Sequence, residues 1–132
     1  MKDEIKSLIR KYASRGILVD TNILLMYFVG TLSKERIARF KRTDHFDSTD
    51  YDRLVTLLTN FRTILTTPNI LTEVNSLMNQ LGEPARSACY SIFARKVCSL
   101  EEVYLTDDLK MASYLYGCGI DTINFNNLRA GL

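Results

Sequence analysis

The segment that decides the fold is ILVDTNILLMYFVG, residues 17–30. It is almost entirely apolar, but Asp20, Thr21 and Asn22 interrupt it. A buried carboxylate without a partner is costly, so an acid inside the most hydrophobic run indicates more than core packing. The short β-branched run before Asp20 predicts a buried strand, and the residues after it predict a helix from about Thr21 to Phe28. Asp20 is therefore predicted to end the first strand.

Length and composition indicate a single globular domain over residues 1–132. The 17 basic and 15 acidic residues give a net charge of +2, which is too small to indicate nucleic-acid binding by itself. No run approaches the ~20 apolar residues of a membrane span, and residues 1–16 lack the apolar core of a signal peptide. We therefore expect a cytoplasmic protein without a membrane partner.

Cysteine and histidine chemistry is not favoured by this sequence. The cysteines lack C-x-x-C spacing, and the one histidine is His45, in a polar segment. We therefore expect neither a zinc site nor Ser-His-Asp or Cys-His catalysis. The cysteines are instead predicted to be small buried hydrophobic residues in a reducing compartment. They are Cys89, Cys98 and Cys118.

Predicted strands and helices alternate along the chain. An extra amphipathic helix is predicted at about residues 3–14, and Gly16 ends it. Further strands are predicted within 63–67, 102–106 and 120–125, and further helices within 33–42, 48–61, 68–81, 84–97 and 107–117. Ser33 and Thr67 are the predicted N-caps of two of these helices. This alternation predicts an α/β fold in which helices surround a parallel sheet.

Carboxylates stand where the strands of such a sheet would end. Asp20 ends the first strand, Asp107 and Asp108 follow a later one, and Glu73 lies about one and a half turns into the helix after another. Ligands of parallel sheets bind outside the carboxyl ends of the strands. Acids gathered there repel one another unless a cation lies between them, and Mg²⁺ or Mn²⁺ suits carboxylate ligands. Such a metal is the usual apparatus for phosphodiester hydrolysis.

Each acid also has a purely structural interpretation. Thr106 or Asp107 would serve as the N-cap of the following helix. Glu73 would be a solvated helix residue, whereas Asp20 is harder to explain because apolar residues flank it on both sides. Taken together, in order and on matching elements, the acids favour a metal site.

Three segments resemble the PIN-domain family of metal-dependent nucleases, over about residues 16–125. ILVDTNILL resembles the opening signature, in which Asp20 is a metal ligand that Thr21 and Asn22 support. TTPNILTEVNSLM resembles the segment that carries the family's glutamate, here Glu73. VYLTDDLKMASYLYGCGIDTINF resembles the closing unit. In that unit Asp108 matches the usual acid, Asp107 adds a second, and Thr106 is a supporting residue.

This resemblance implies a three-layer α/β/α sandwich with a central parallel sheet of about four to five strands. It also implies Mg²⁺- or Mn²⁺-dependent endoribonuclease activity on single-stranded RNA. Asp20, Glu73 and Asp108 would be catalytic, and the same three with Asp107 would hold the metal. Many small members are toxins that a protein antitoxin inhibits, and they often form homodimers; others process RNA.

The sequence departs from the family pattern at one acid. The helix at 84–97 contains no carboxylate, Ser87 or a neighbour stands at the expected position, and Glu83 is the nearest substitute. The alternative function is therefore a catalytically weakened domain that binds RNA or protein. A haloacid-dehalogenase-like phosphatase is disfavoured, because its second aspartate would stand where this chain has Asn22.

Basic and aromatic residues provide a weaker indication of RNA binding. The segment 33–42 is rich in cations, which would track a phosphate backbone. The alternative is a solvated helix face with Ile37 and Phe40 buried. Tyrosines would stack on bases or occupy core and edge positions. The basic residues are Lys34, Arg36, Arg39, Lys41 and Arg42, and the tyrosines are Tyr27, Tyr104, Tyr114 and Tyr116.

Overall fold

The computed structural model describes residues 2–97, 104–106, 113, 116–117 and 122–124. Its helices are α1 (Asp3–Tyr12), α2 (Thr21–Leu32), α3 (Lys34–Arg39), α4 (Ser48–Leu58), α5 (Pro68–Met78) and α6 (Ala85–Val97). Its strands are β1 (Ile17–Leu18), β2 (Ile64–Leu65), β3 (Tyr104–Thr106) and β4 (Thr122–Asn124). The chain forms two compact units, Met1–Leu77 and Met78–Leu132. No helix among these residues is long and apolar enough to cross a membrane.

The predicted three-layer sandwich around a four- to five-stranded parallel sheet is wrong. The described residues are mostly helical, and their strands form two separate parallel pairs, β1–β2 and β3–β4. Each strand is only two or three residues long. The first pair is short because helices begin directly after it: α2 starts at Thr21 and α5 at Pro68. Leu18 of this pair is 59% exposed among the described residues.

The core of the first unit is built around α2. This helix packs against α3 and α4, which also pack against each other. Because apolar residues occur all around α2, it is buried on most sides, as expected of a helix without a polar face. Gly30 allows α4 to approach closely, since the Tyr51 ring occupies the space that a Cβ atom would take. The fully buried side chains here include Leu25, Val29, Ile37 and Val74.

The β1–β2 pair joins two distant segments of the chain. Ile17 pairs with Ile64 and Leu18 with Leu65, in parallel. The chain enters β1 at Gly16, whose φ of +139° places it in a region that residues with a Cβ atom avoid. Because both strands run in the same direction, the residues that follow them emerge at one end of the pair.

Local signals set the starts of three helices, α2, α4 and α5. The Thr67 hydroxyl accepts a hydrogen bond from the Ile70 N–H at 3.1 Å, as predicted for the N-cap of α5. Asp47 and Asp50 form a reciprocal capping box at the start of α4. Ser33 occupies the N-cap position of α3, but its hydroxyl donates to Glu35 Oε2 at 3.0 Å rather than capping the helix. The Ser33 hydroxyl therefore accepts no hydrogen bond from the backbone N–H groups of the first turn of α3.

The second unit has its own buried residues along α6. Cys89 is buried, and its thiol donates to Met78 Sδ at 3.4 Å. Burial raises the pKa of the Cys89 thiol to about 11, so it stays protonated at neutral pH. This agrees with the predicted role of a small hydrophobic residue, whereas Cys98 and Cys118 lie outside the described residues. The other buried side chains are Leu81, Ala85, Ile92 and Phe93.

Candidate functional site

Two of the predicted site residues meet at the carboxyl end of the β1–β2 pair. Asp20 follows β1 by two residues and is the N-cap of α2. Glu73 lies in the second turn of α5, the helix that follows β2. Both side chains reach the surface of the first unit. We call Asp20, Thr21 and Glu73 the acidic rim.

Thr21 connects the two carboxylates. Its backbone N–H donates to Asp20 Oδ1 at 2.7 Å, and its hydroxyl donates to Glu73 Oε2 at 2.7 Å. Thr21 is itself 8% exposed, so its side chain is fixed by the surrounding core. A buried, rigid donor that binds both groups holds the two carboxylates in a defined arrangement despite their mutual repulsion.

The rim offers two carboxylates, which are only part of the usual ligand set of a divalent cation. Each carboxylate uses one oxygen in the contacts with Thr21, which leaves its second oxygen for coordination. Magnesium sites commonly take one or two protein carboxylates and complete their shell with water. Among the described residues no group of three or more acidic, histidine or cysteine side chains is placed to hold a metal. The rim is thus a two-carboxylate site in this part of the chain.

Asp20 also has a structural role that the sequence did not predict. Its side chain accepts from the first N–H of α2, so it stabilises the start of that helix. The signal was present in the sequence, because aspartate is among the preferred N-cap residues. An acid that caps a helix with one oxygen still has its other oxygen for a ligand.

The structure describes the remaining residues of the predicted site in less detail. Asn22 is exposed in the first turn of α2. The backbone of Thr106 pairs with Asn124 in the β3–β4 ladder. Asp107 and Asp108 lie outside the described residues.

One polar group near the rim was missed by sequence reasoning. Thr66 follows β2 directly, and its hydroxyl is buried without a hydrogen-bond partner among the described residues. Its position after a strand is the only sequence signal that would have drawn attention to it. A buried hydroxyl of this kind usually binds water or a ligand.

The helix that lacks the expected acid is α6, and the nearest carboxylate is already occupied. Glu83 accepts from Arg86 Nε at 2.8 Å and from the Ser87 hydroxyl at 2.8 Å. The Ser87 hydrogen bond, followed by that of Arg86, lowers the pKa of Glu83. The two positions considered for the missing acid, 83 and 87, therefore contact each other at the start of α6.

The basic residues of 33–42 do not form one uniform surface. Lys34 forms an ion pair with Asp52, and Arg36 is half-buried with its Nε atom enclosed. The expected burial of Ile37 and Phe40 is confirmed. The exposed cations of this segment are Lys34, Arg39, Lys41 and Arg42.

Comparison with known proteins does not extend this picture. No family model, no characterised protein and no solved structure matches the chain. The PIN-domain resemblance stays a prediction from the three sequence segments.

Proposed function

We propose that this protein is a Mg²⁺- or Mn²⁺-dependent endoribonuclease that hydrolyses single-stranded RNA. The observation that carries the proposal is the hydrogen bond from the Thr21 hydroxyl to Glu73, which joins residues 52 positions apart. It brings together the first and second of the three segments that resemble PIN-domain nucleases. These two segments form the β1–β2 pair and the two helices that follow it.

The roles of the rim residues follow from their contacts. Asp20 and Glu73 would hold the metal through the oxygens that Thr21 does not engage, and Thr21 would fix their spacing. When bound, a divalent ion supplies a water of lowered pKa and stabilises negative charge on the phosphate. The resemblance also assigns Asp108 and Asp107 as ligands, and both lie outside the described residues.

Metal removal tests this function. A fluorescently labelled single-stranded RNA, incubated with the purified chain and Mn²⁺ or Mg²⁺, is expected to be cut at internal positions. Excess EDTA should abolish cleavage, and added Mn²⁺ should restore it, because the rim carboxylates provide no catalysis without the ion. Cleavage that continues unchanged in EDTA would contradict the proposal.

The second candidate function is an RNA-binding or protein-binding domain with weakened catalysis. The specific observation that favours it is the absence of any carboxylate in α6, ARSACYSIFARKV. This candidate predicts RNA or protein binding without cleavage in either metal. An antitoxin partner, a homodimer and a cytoplasmic location remain predictions from the sequence.

A further inference from the structure

One accessible stripe of helix α2 begins at the acidic rim. Seven of its twelve residues are buried. The accessible side chains include Ile23, Tyr27 and Thr31, which lie three or four positions apart after Asp20. Residues at this spacing share one face of a helix. The stripe therefore runs from the rim along α2 for about 16 Å, at 1.5 Å per residue.

An aromatic pair lies in the middle of this stripe. The Tyr27 and Tyr51 rings stack with centroids 6.4 Å apart and planes inclined by 23°. Both residues are partly exposed. The Tyr51 hydroxyl lies 3.1 Å from the Thr31 hydroxyl, and its ring fits against Gly30. These contacts hold the Tyr51 ring of α4 against Tyr27 of α2, and both residues are partly accessible to solvent.

A lysine stands at the far end of the stripe. Lys34 Nζ lies 5.7 Å from the centroid of the Tyr51 ring and pairs with the exposed Asp52 carboxylate. The Asp52 hydrogen bond raises the pKa of Lys34, so the ammonium remains charged across the neutral range. An ammonium group has three donors, and Asp52 uses one of them. Lys34 is therefore positioned and still able to contact a phosphate.

We propose that the α2 stripe binds single-stranded RNA, with a nucleobase stacked on the Tyr27–Tyr51 pair and a phosphate on Lys34. This inference rests on the proposed function, because the strand would continue from the stripe to the acidic rim. An accessible aromatic surface next to a cation is the combination that binds single strands without sequence preference.

Base stacking can be tested separately from cleavage by working in EDTA. The probe is a ten-nucleotide single-stranded RNA of mixed sequence that carries 2-aminopurine at one position, which is varied through the strand. Stacking of 2-aminopurine on a tyrosine quenches its fluorescence. For the wild type we expect quenching at a subset of positions and, for Tyr27→Leu, loss of that quenching with about tenfold weaker binding. Tyr27→Phe keeps the ring and should bind within twofold of the wild type.

Tyr12→Leu is the matched control. Tyr12 is also partly exposed and lies 5.2 Å from a lysine ammonium, that of Lys11, but it is on α1. Its replacement should leave both affinity and quenching unchanged. Circular dichroism melting of each variant establishes that it is folded.

Three outcomes overturn the inference: RNA that does not bind, wild-type binding without quenching at any position, or equal affinity of Tyr27→Leu and the wild type. If Tyr27→Leu does not fold, wild-type binding without quenching at any position still overturns the inference. Failure of the proposed function is distinguished by the cleavage assay in Mn²⁺. If Tyr27 quenches the 2-aminopurine fluorescence but the RNA is never cut, the stripe binds RNA as proposed and the nuclease function is contradicted.

Discussion

Asp20→Asn is expected to reduce Mn²⁺-dependent RNA cleavage by at least about 100-fold. Replacement of a residue that only orients a ligand typically costs 10- to 100-fold in metal affinity or activity, and Asp20 is proposed to be a ligand itself. The amide keeps an oxygen that can accept from the Thr21 N–H, so the start of α2 should be preserved. The variant therefore separates metal binding from folding. Single-turnover cleavage at saturating Mn²⁺ measures the loss.

The control for this substitution is Asp44→Asn. Asp44 is an exposed aspartate in the turn after α3, away from the rim contacts. The Asp44→Asn variant should cut RNA at the wild-type rate. That result would show that the loss of one negative charge does not by itself explain the slower cleavage by Asp20→Asn. If Asp20→Asn and Asp44→Asn both retained wild-type cleavage, the rim would not be the catalytic site.

Gly30→Val is expected to destabilise the protein by about 3 kcal/mol. A Cβ atom at Gly30 would overlap Tyr51 Cδ2 and lie 2.9 Å from Ile37 Cδ1. Neither neighbour moves easily, because Ile37 is fully buried and Tyr51 is stacked on Tyr27. The two further methyl groups of valine increase the overlap. Urea unfolding followed by circular dichroism gives the change in the free energy of unfolding.

Gly82→Val provides the comparison for this prediction. Nothing lies within 4 Å of a Cβ atom built at Gly82, and its φ is not in the left-handed region. Valine there should change stability by less than about 1 kcal/mol. Equal stability of the two variants would show that Tyr51 does not pack against Gly30 as described.

Local chemistry in the sequence predicted the individual elements well. Thr67 and Pro68 marked the start of α5 because a capping hydroxyl followed by proline favours a first helical turn. The apolar spacing of Ile37 and Phe40 identified the buried side of α3 and the residue after it, as the structure confirms. These features depend on residues that are close in sequence, so they can be predicted without knowledge of the fold.

The assembly of the strands could not be predicted in the same way. Short apolar runs such as ILVD and TILTT are compatible with a long strand or with a two-residue strand followed at once by a helix. The choice depends on how α2 and α5 pack, which is a non-local property. Asp20 illustrates this choice: the acid that was predicted to end a strand stands two residues after β1 and is the N-cap of α2.

The sequence indicated which residues to consider for the candidate site, but not the hydrogen bonds between them. Asp20 and Glu73 were identified as partners from their positions after strands. That Thr21 would join them by donating to both could not be read from periodicity, since it depends on the parallel register of β1 and β2. The Tyr27–Tyr51 pair also could not be predicted from the sequence, because the two residues are 24 positions apart on different helices.

The central claim is that Asp20 and Glu73 bind one divalent cation together. The most direct test is a Mn²⁺ titration, followed by electron paramagnetic resonance of free Mn²⁺, of the wild type, Asp20→Asn, Glu73→Gln and the double variant. If both carboxylates hold the same ion, each single substitution should weaken binding at least about tenfold, and the double variant should lose less than the sum of the two single losses. Wild-type affinity in both single variants would contradict the account.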